Sequence, residues 1–114
     1  MTKIYHNPRC SKSRQALTLL NDNKENPEII EYLKDHPTKQ DLIDIVAMLG
    51  IAPLELVRKG ESIFKEQYKG KELSDSEWIE AMIANPILIE RPIVIKNNKA
   101  VIGRPIENII ELIR

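Results

Sequence analysis

The chain has 114 residues, enough for one domain with a continuous core. Its 17 Lys and Arg balance 17 Asp and Glu, so no global basic field advertises nucleic acid or membrane binding. No apolar stretch approaches the roughly 20 residues that span a bilayer, and Met1 to His6 lacks a signal-peptide apolar region, so a cytoplasmic protein is expected.

In chain order, Lys3 to His6 reads as a short strand, with Ile4 and Tyr5 supplying β propensity. Asn7-Pro8 is a turn signal. From Ser11 the pattern becomes helical, with Ala16, Leu17 and Leu20 on one face, until Asn21-Asp22-Asn23 ends it. Glu28 to Leu33 reads as a second strand. Thr38 can cap a helix whose apolar face is Leu42, Ile45, Val46 and Leu49, with Gly50 as its stop. Pro53 suits the first position of a short helix over Leu54 to Arg58, and Ile63, Phe64 and Tyr68 suggest another turn or two. Ser74 and Glu77 form a capping box before a helix with Ile79, Met82 and Ile83 on one face, stopped by Asn85-Pro86. Ile93 to Lys96 and Lys99 to Ile102 are two strands around Asn97-Asn98, a pair that tolerates positive φ. Pro105 opens a last helix with Ile106, Ile109, Ile110 and Ile113 on one stripe.

The order is β-α-β, a helical insertion over about 38–85, then β-β-α. Without the insertion this is the order of the thioredoxin-like fold. The expectation is therefore an α/β chain, one thioredoxin-like domain over 1–114 with a mixed four-stranded sheet. In that fold an active thiol sits at the start of the helix after the first strand, and a proline before the third strand, often cis, faces it. Cys10 and Pro92 occupy those two places.

Cys10 is the only cysteine, so no internal disulfide forms, and two histidines beside it do not complete a four-ligand structural zinc site. A helix N-terminus lowers a thiol pKa through its exposed N–H groups and dipole. Ser13, three residues on, can reach the sulfur with its hydroxyl or its backbone N–H, as an N-terminal cap does. His6, if protonated and near, would further favour thiolate. An inert buried thiol is the bland alternative, but Arg9, Lys12 and Arg14 make the flanks electropositive. A phosphatase loop would need arginine six positions after the cysteine, where Ala16 stands. A dithiol site would need cysteine where Ser13 stands.

Arg58, Arg91 and Arg104 are candidate oxyanion clamps, because guanidinium forks match tetrahedral anions. Arg91 and Arg104 each precede a proline, which biases them toward extended backbone.

"IYHNPRCSKSR" closely resembles the opening of the glutaredoxin-coupled arsenate reductase family. "ANPILIERPIV" and "IGRP" resemble its second and third signature blocks, and the likeness runs nearly end to end. That resemblance implies reduction of arsenate to arsenite. The Cys10 thiolate attacks arsenate held by Arg58, Arg91 and Arg104. A glutathionylated intermediate follows, and glutaredoxin recycles it. His6 would depress the thiol pKa and Ser13 would support the thiolate. Glutathione is then a co-substrate, with no tightly bound cofactor, no metal, and no nucleic-acid or membrane partner. A chain with one cysteine needs an outside thiol to resolve such an intermediate. Ser11-Lys12 departs from the small, glycine-containing stretch of the best-known reductases, and matches a branch often named arsenate reductase on sequence alone. Two other readings share these residues: a glutathione-dependent thiol oxidoreductase of another substrate, and an Spx-like RNA polymerase-binding regulator. The redox-sensing regulators use Cys-x-x-Cys, which Ser13 removes.

Overall fold

The computed structural model describes residues 1–114. The chain divides into two compact units, Met1–Asp35 with Arg91–Arg114, and His36–Glu90. The second contains the whole of the expected 38–85 insertion.

The first unit holds a mixed four-stranded sheet in the order β2-β1-β3-β4. β1 (Thr2–Tyr5) runs parallel to β2 (Glu28–Ile30) and antiparallel to β3 (Ile93–Lys96), which pairs antiparallel with β4 (Lys99–Ile102). This is the thioredoxin-like arrangement. The β3–β4 turn uses Asn97 and Asn98 at φ 53° and 62°, the left-handed pair that a two-residue hairpin requires. Ile4 and Val94 pack into a core completed by Ala16 and Leu20 of α1 (Ser11–Asp22) and Ile109 of α5 (Glu107–Ile113). Thr2 and Lys96 both reach Glu25, at 2.7 and 2.9 Å, at the opposite end of β1 from Cys10.

Two expectations shift in this unit. β2 ends at Ile30, not Leu33. The Glu31 carbonyl accepts from the N–H groups of Lys34 and Asp35, each at 2.9 Å, so the chain turns where a ladder would have continued. The last helix starts at Glu107, and its inward stripe is Ile106, Ile109, Leu112 and Ile113, while Ile110 is exposed. Both stripes satisfy helical spacing, and packing against the sheet selects Leu112.

The second unit is helical. α2 (Lys39–Leu49) starts with a reciprocal Thr38–Asp41 capping box and ends at Gly50 in left-handed conformation, φ 69°. Pro53–Leu56 is a 3₁₀ turn, not the α-helix expected over Leu54–Arg58; Val57 is already extended and bridges Ile89. α3 (Ser62–Gln67) follows. α4 (Asp75–Ala84) opens on the Ser74–Glu77 box and buries Trp78, Ile79 and Met82. Phe64 and Tyr68 pack on the Trp78 ring at 6.1 and 5.9 Å. No helix of the chain is long and apolar enough to cross a membrane.

Candidate active site

The turn between β1 and α1 is built by its own polar groups. Asn7 does most of it. Its Oδ1 accepts from the Arg9 N–H, its carbonyl from the Cys10 N–H, and its own N–H donates to Ser13 Oγ, all at 3.0 Å. An asparagine that bonds the backbone two residues on closes a turn without a second strand. Arg14 Nη1 pins the Pro8 carbonyl at 3.0 Å. Cys10 is thereby left at the N-cap of α1 with extended dihedrals, φ −96° and ψ 121°, its carbonyl accepting the first helical bond from Arg14. Sequence alone had read Asn7 only as half of a turn signal.

Ser13 serves two directions. Its backbone N–H, with that of Lys12, points to the Cys10 sulfur. Its fully buried hydroxyl lies 2.6 Å from His6 Nδ1. Of the two ways in which Ser13 was expected to reach the thiol, the structure uses the backbone. His6 touches the hydroxyl, and burial lowers its pKa from 6.5, ahead of a raising effect of Glu31 and a lowering one of Arg14. Burial therefore disfavours the charged ring. Its contact is a hydrogen bond to the Ser13 hydroxyl.

Two of the three arginines converge on Cys10. The Arg91 guanidinium hydrogen-bonds the sulfur. Arg104 Nη2 stands 3.4 Å from Sγ, and its Nε donates to the Arg91 carbonyl at 2.9 Å. One arginine therefore braces the backbone of the other. Gly103, just before Arg104, donates its N–H to the Pro92 carbonyl at 2.8 Å. A Cβ there would stand 2.8 Å from both Pro92 Cγ and Ile109 Cδ1, so only glycine fits without displacing a neighbour. The Arg91–Pro92 and Arg104–Pro105 peptide bonds are both cis.

These contacts set the thiol. Burial pushes the Cys10 pKa up. The Ser13 N–H, the Arg91 guanidinium and the Lys12 N–H outweigh it and bring the pKa from 9.0 to about 7. About half of the sulfur is then thiolate at pH 7. Cys10 is only partly buried, so the residue stays in reach of solvent. Arg58, the third candidate, lies in the helical unit. Its Nε is 3.2 Å from Glu61 and its Nη1 3.8 Å from Glu90, and its N–H donates to the Leu88 carbonyl.

Residues 5–112 match the model of the ArsC family. The chain belongs to the ArsC family. It is 46% identical over 113 residues to the uncharacterized protein YfgD of Escherichia coli, covering 97% of this chain and 95% of that protein. It is 42% identical to an arsenate reductase of Neisseria meningitidis, over 94% and 93% of the two chains. The solved structure of an arsenate reductase from Vibrio cholerae superposes with a TM-score of 0.92 at 41% identity, over 96% and 95%. Within this ArsC chain, Cys10, Ser13, Arg91 and Arg104 form one contiguous group, and His6 joins it through the Ser13 hydroxyl.

Proposed function

We propose that this protein reduces arsenate to arsenite, with the Cys10 thiolate as nucleophile and glutathione and glutaredoxin as electron donors. The observation that carries this reading is a thiol at the start of a helix with two guanidinium groups turned onto it. That arrangement favours the thiolate and also attracts a tetrahedral dianion to it. The names of the Neisseria and Vibrio relatives supply the substrate.

The Cys10 sulfur attacks As(V), and an arsenate oxygen, protonated, leaves as water. The thiolate of glutathione then attacks the Cys10 sulfur of that adduct, forming a sulfur–sulfur bond as the sulfur–arsenic bond breaks. Arsenic keeps the electron pair of the broken bond and departs as arsenite. Cys10 is left glutathionylated, in a mixed disulfide. A glutaredoxin thiol takes the glutathionyl group, and Cys10 returns as thiolate. Arg91 and Arg104 offset the negative charge during attack. Arg58 is the third member of the proposed clamp. Cys10 as sole cysteine fits a reducing cytoplasm and an external resolving thiol.

The test is arsenite formation by the purified chain with arsenate, glutathione and glutaredoxin, beside a verified reductase. Arsenite from the wild type, and none above background from Cys10→Ser, is expected. A wild-type chain that leaves arsenate untouched while reducing glutathione mixed disulfides would transfer the site to a general thiol oxidoreductase.

A further inference from the structure

One cavity has a lining of which the arsenate chemistry uses only Arg104. It has a volume of about 370 Å³ and lies between the first turns of α1 and the Gly103–Glu107 segment, lined by Lys12, Gln15, Gly103, Arg104, Ile106 and Glu107 among others. That is within the roughly 300–1,000 Å³ of small-molecule sites. Two of its lining residues reach the Cys10 sulfur. Arg104, in its wall, holds Sγ at 3.4 Å, and the Lys12 N–H bonds the same atom.

Its charges are mixed: two cations, Lys12 and Arg104, and one carboxylate, Glu107. A divalent inorganic oxyanion has no use for that carboxylate. Glutathione does, since it carries two carboxylates and one ammonium around a central thiol. A second cavity, lined by His6, Pro8, Arg9, Glu31, Leu33 and Lys34, has a similar inventory. There, however, Lys34 lies 3.7 Å from Glu31, so those charges already serve each other. At about 260 Å³ it is also smaller.

We propose that the Lys12–Arg104–Glu107 cavity is the glutathione site: Glu107 receives the ammonium, Lys12 and Arg104 receive the carboxylates, and the tripeptide's thiol faces Cys10. This assignment rests on the reading that glutathione is the electron donor. It gives Lys12, part of the Ser11-Lys12 stretch, a ligand. Gly103 acts by shape: its missing Cβ lets the chain close on Pro92 and keeps Arg104 at the cavity wall.

The probe is S-methylglutathione, which keeps all the charges and cannot exchange disulfides. Titrated into the ¹⁵N-labelled full chain, it should saturably shift the amide signals of Lys12, Gln15, Gly103 and Glu107. Glu107→Lys should weaken binding about tenfold or more, the loss of one charge-assisted contact plus a new repulsion. Glu107→Gln should weaken it less. Lys12→Glu, on an independent element, should weaken it in the same way. Saturable shifts confined to His6, Arg9, Glu31 and Lys34 would overturn the assignment. So would no binding, or binding indifferent to all three variants in folded protein. Arsenite production with glutathione, without this binding, sinks the pocket alone. Saturable binding here, without arsenite production, sinks the arsenate reading alone.

Discussion

Around Cys10 the chain gathers N–H groups and guanidiniums on a sulfur, whereas around Arg58 it gathers carboxylates on a guanidinium. Arg91 and Arg104 face an atom that gains negative charge as it ionises, and they lower its pKa or touch it. Arg58 faces Glu61 and Glu90, whose charge is already present. The same side chain is an activating group in one unit and half of an ion-pair network in the other. Its neighbours in space, more than its neighbours in sequence, decide which.

The sharpest way to break this contrast is to remove the sulfur. Cys10→Ser should drop arsenite formation to the uncatalysed background while leaving the far-ultraviolet circular dichroism unchanged. Activity that survives would remove the nucleophile from the account. Next in size is Arg91→Ala. With its charge-assisted bond gone, the midpoint of Cys10 alkylation against pH should rise from about 7 toward 9.0, and arsenate kcat/KM should fall about tenfold or more. A midpoint that stays put would mean that the N–H groups alone hold the thiolate.

Ser13→Ala separates the two directions of Ser13. It removes the partner of His6 Nδ1 and of the Asn7 N–H in a fully buried place. Urea unfolding should report a loss of about 1–3 kcal/mol. The alkylation midpoint should move little, because the backbone N–H that bonds the sulfur remains. A large upward move would show that the hydroxyl acts on the thiol after all.

The pH dependence of stability is a smaller effect with a definite sign. The Cys10 pKa is depressed in the fold from 9.0 to about 7. Between those values the unfolded chain binds the extra proton, so stability rises with pH across the window. The contribution is fully present above about 9 and lost as pH falls through about 7. The Tm of the wild type minus that of Cys10→Ser should therefore increase from pH 6 to pH 9. A flat difference would contradict a stabilised thiolate.

The smallest effect is expected from Arg58→Ala. Loss of two ion pairs on a side chain that is 21% exposed should cost under about 1 kcal/mol, leave the alkylation midpoint in place and raise arsenate KM a few-fold. An unchanged KM would take Arg58 out of the clamp.

Much of the fold was legible because local chemistry dictates it. Asn97-Asn98 can only be comfortable in a tight turn, and Thr38, Ser74 and Glu77 satisfy helix N–H groups within three residues of themselves. Cys10 at a helix start was legible for the same reason. What sequence spacing does not carry is choice among equivalents. Ile110 and Leu112 both suit an amphipathic helix, and only the sheet picks one. A Ser13 hydroxyl and a Ser13 N–H are equally near the sulfur in sequence, and only the buried His6 draws the hydroxyl away. The convergence of Arg91 and Arg104 joins residues 81 and 94 positions beyond Cys10. No period predicts that closure; the thioredoxin-like element order set Pro92, and with it Arg91, opposite the thiol, and the resemblance to a known family added Arg104.

Gly103 bears on any attempt to alter this site. Pro92 and Ile109 already occupy the space that a side chain would need, so the rim carrying Arg104 is cut to one template. Random mutagenesis screened for folding should therefore recover almost no variants there, while Lys12, Gln15 and Glu107, all solvent-facing, accept many without loss of the fold. A designer seeking a new thiol co-substrate would leave the wedge alone and rewrite the opposite wall.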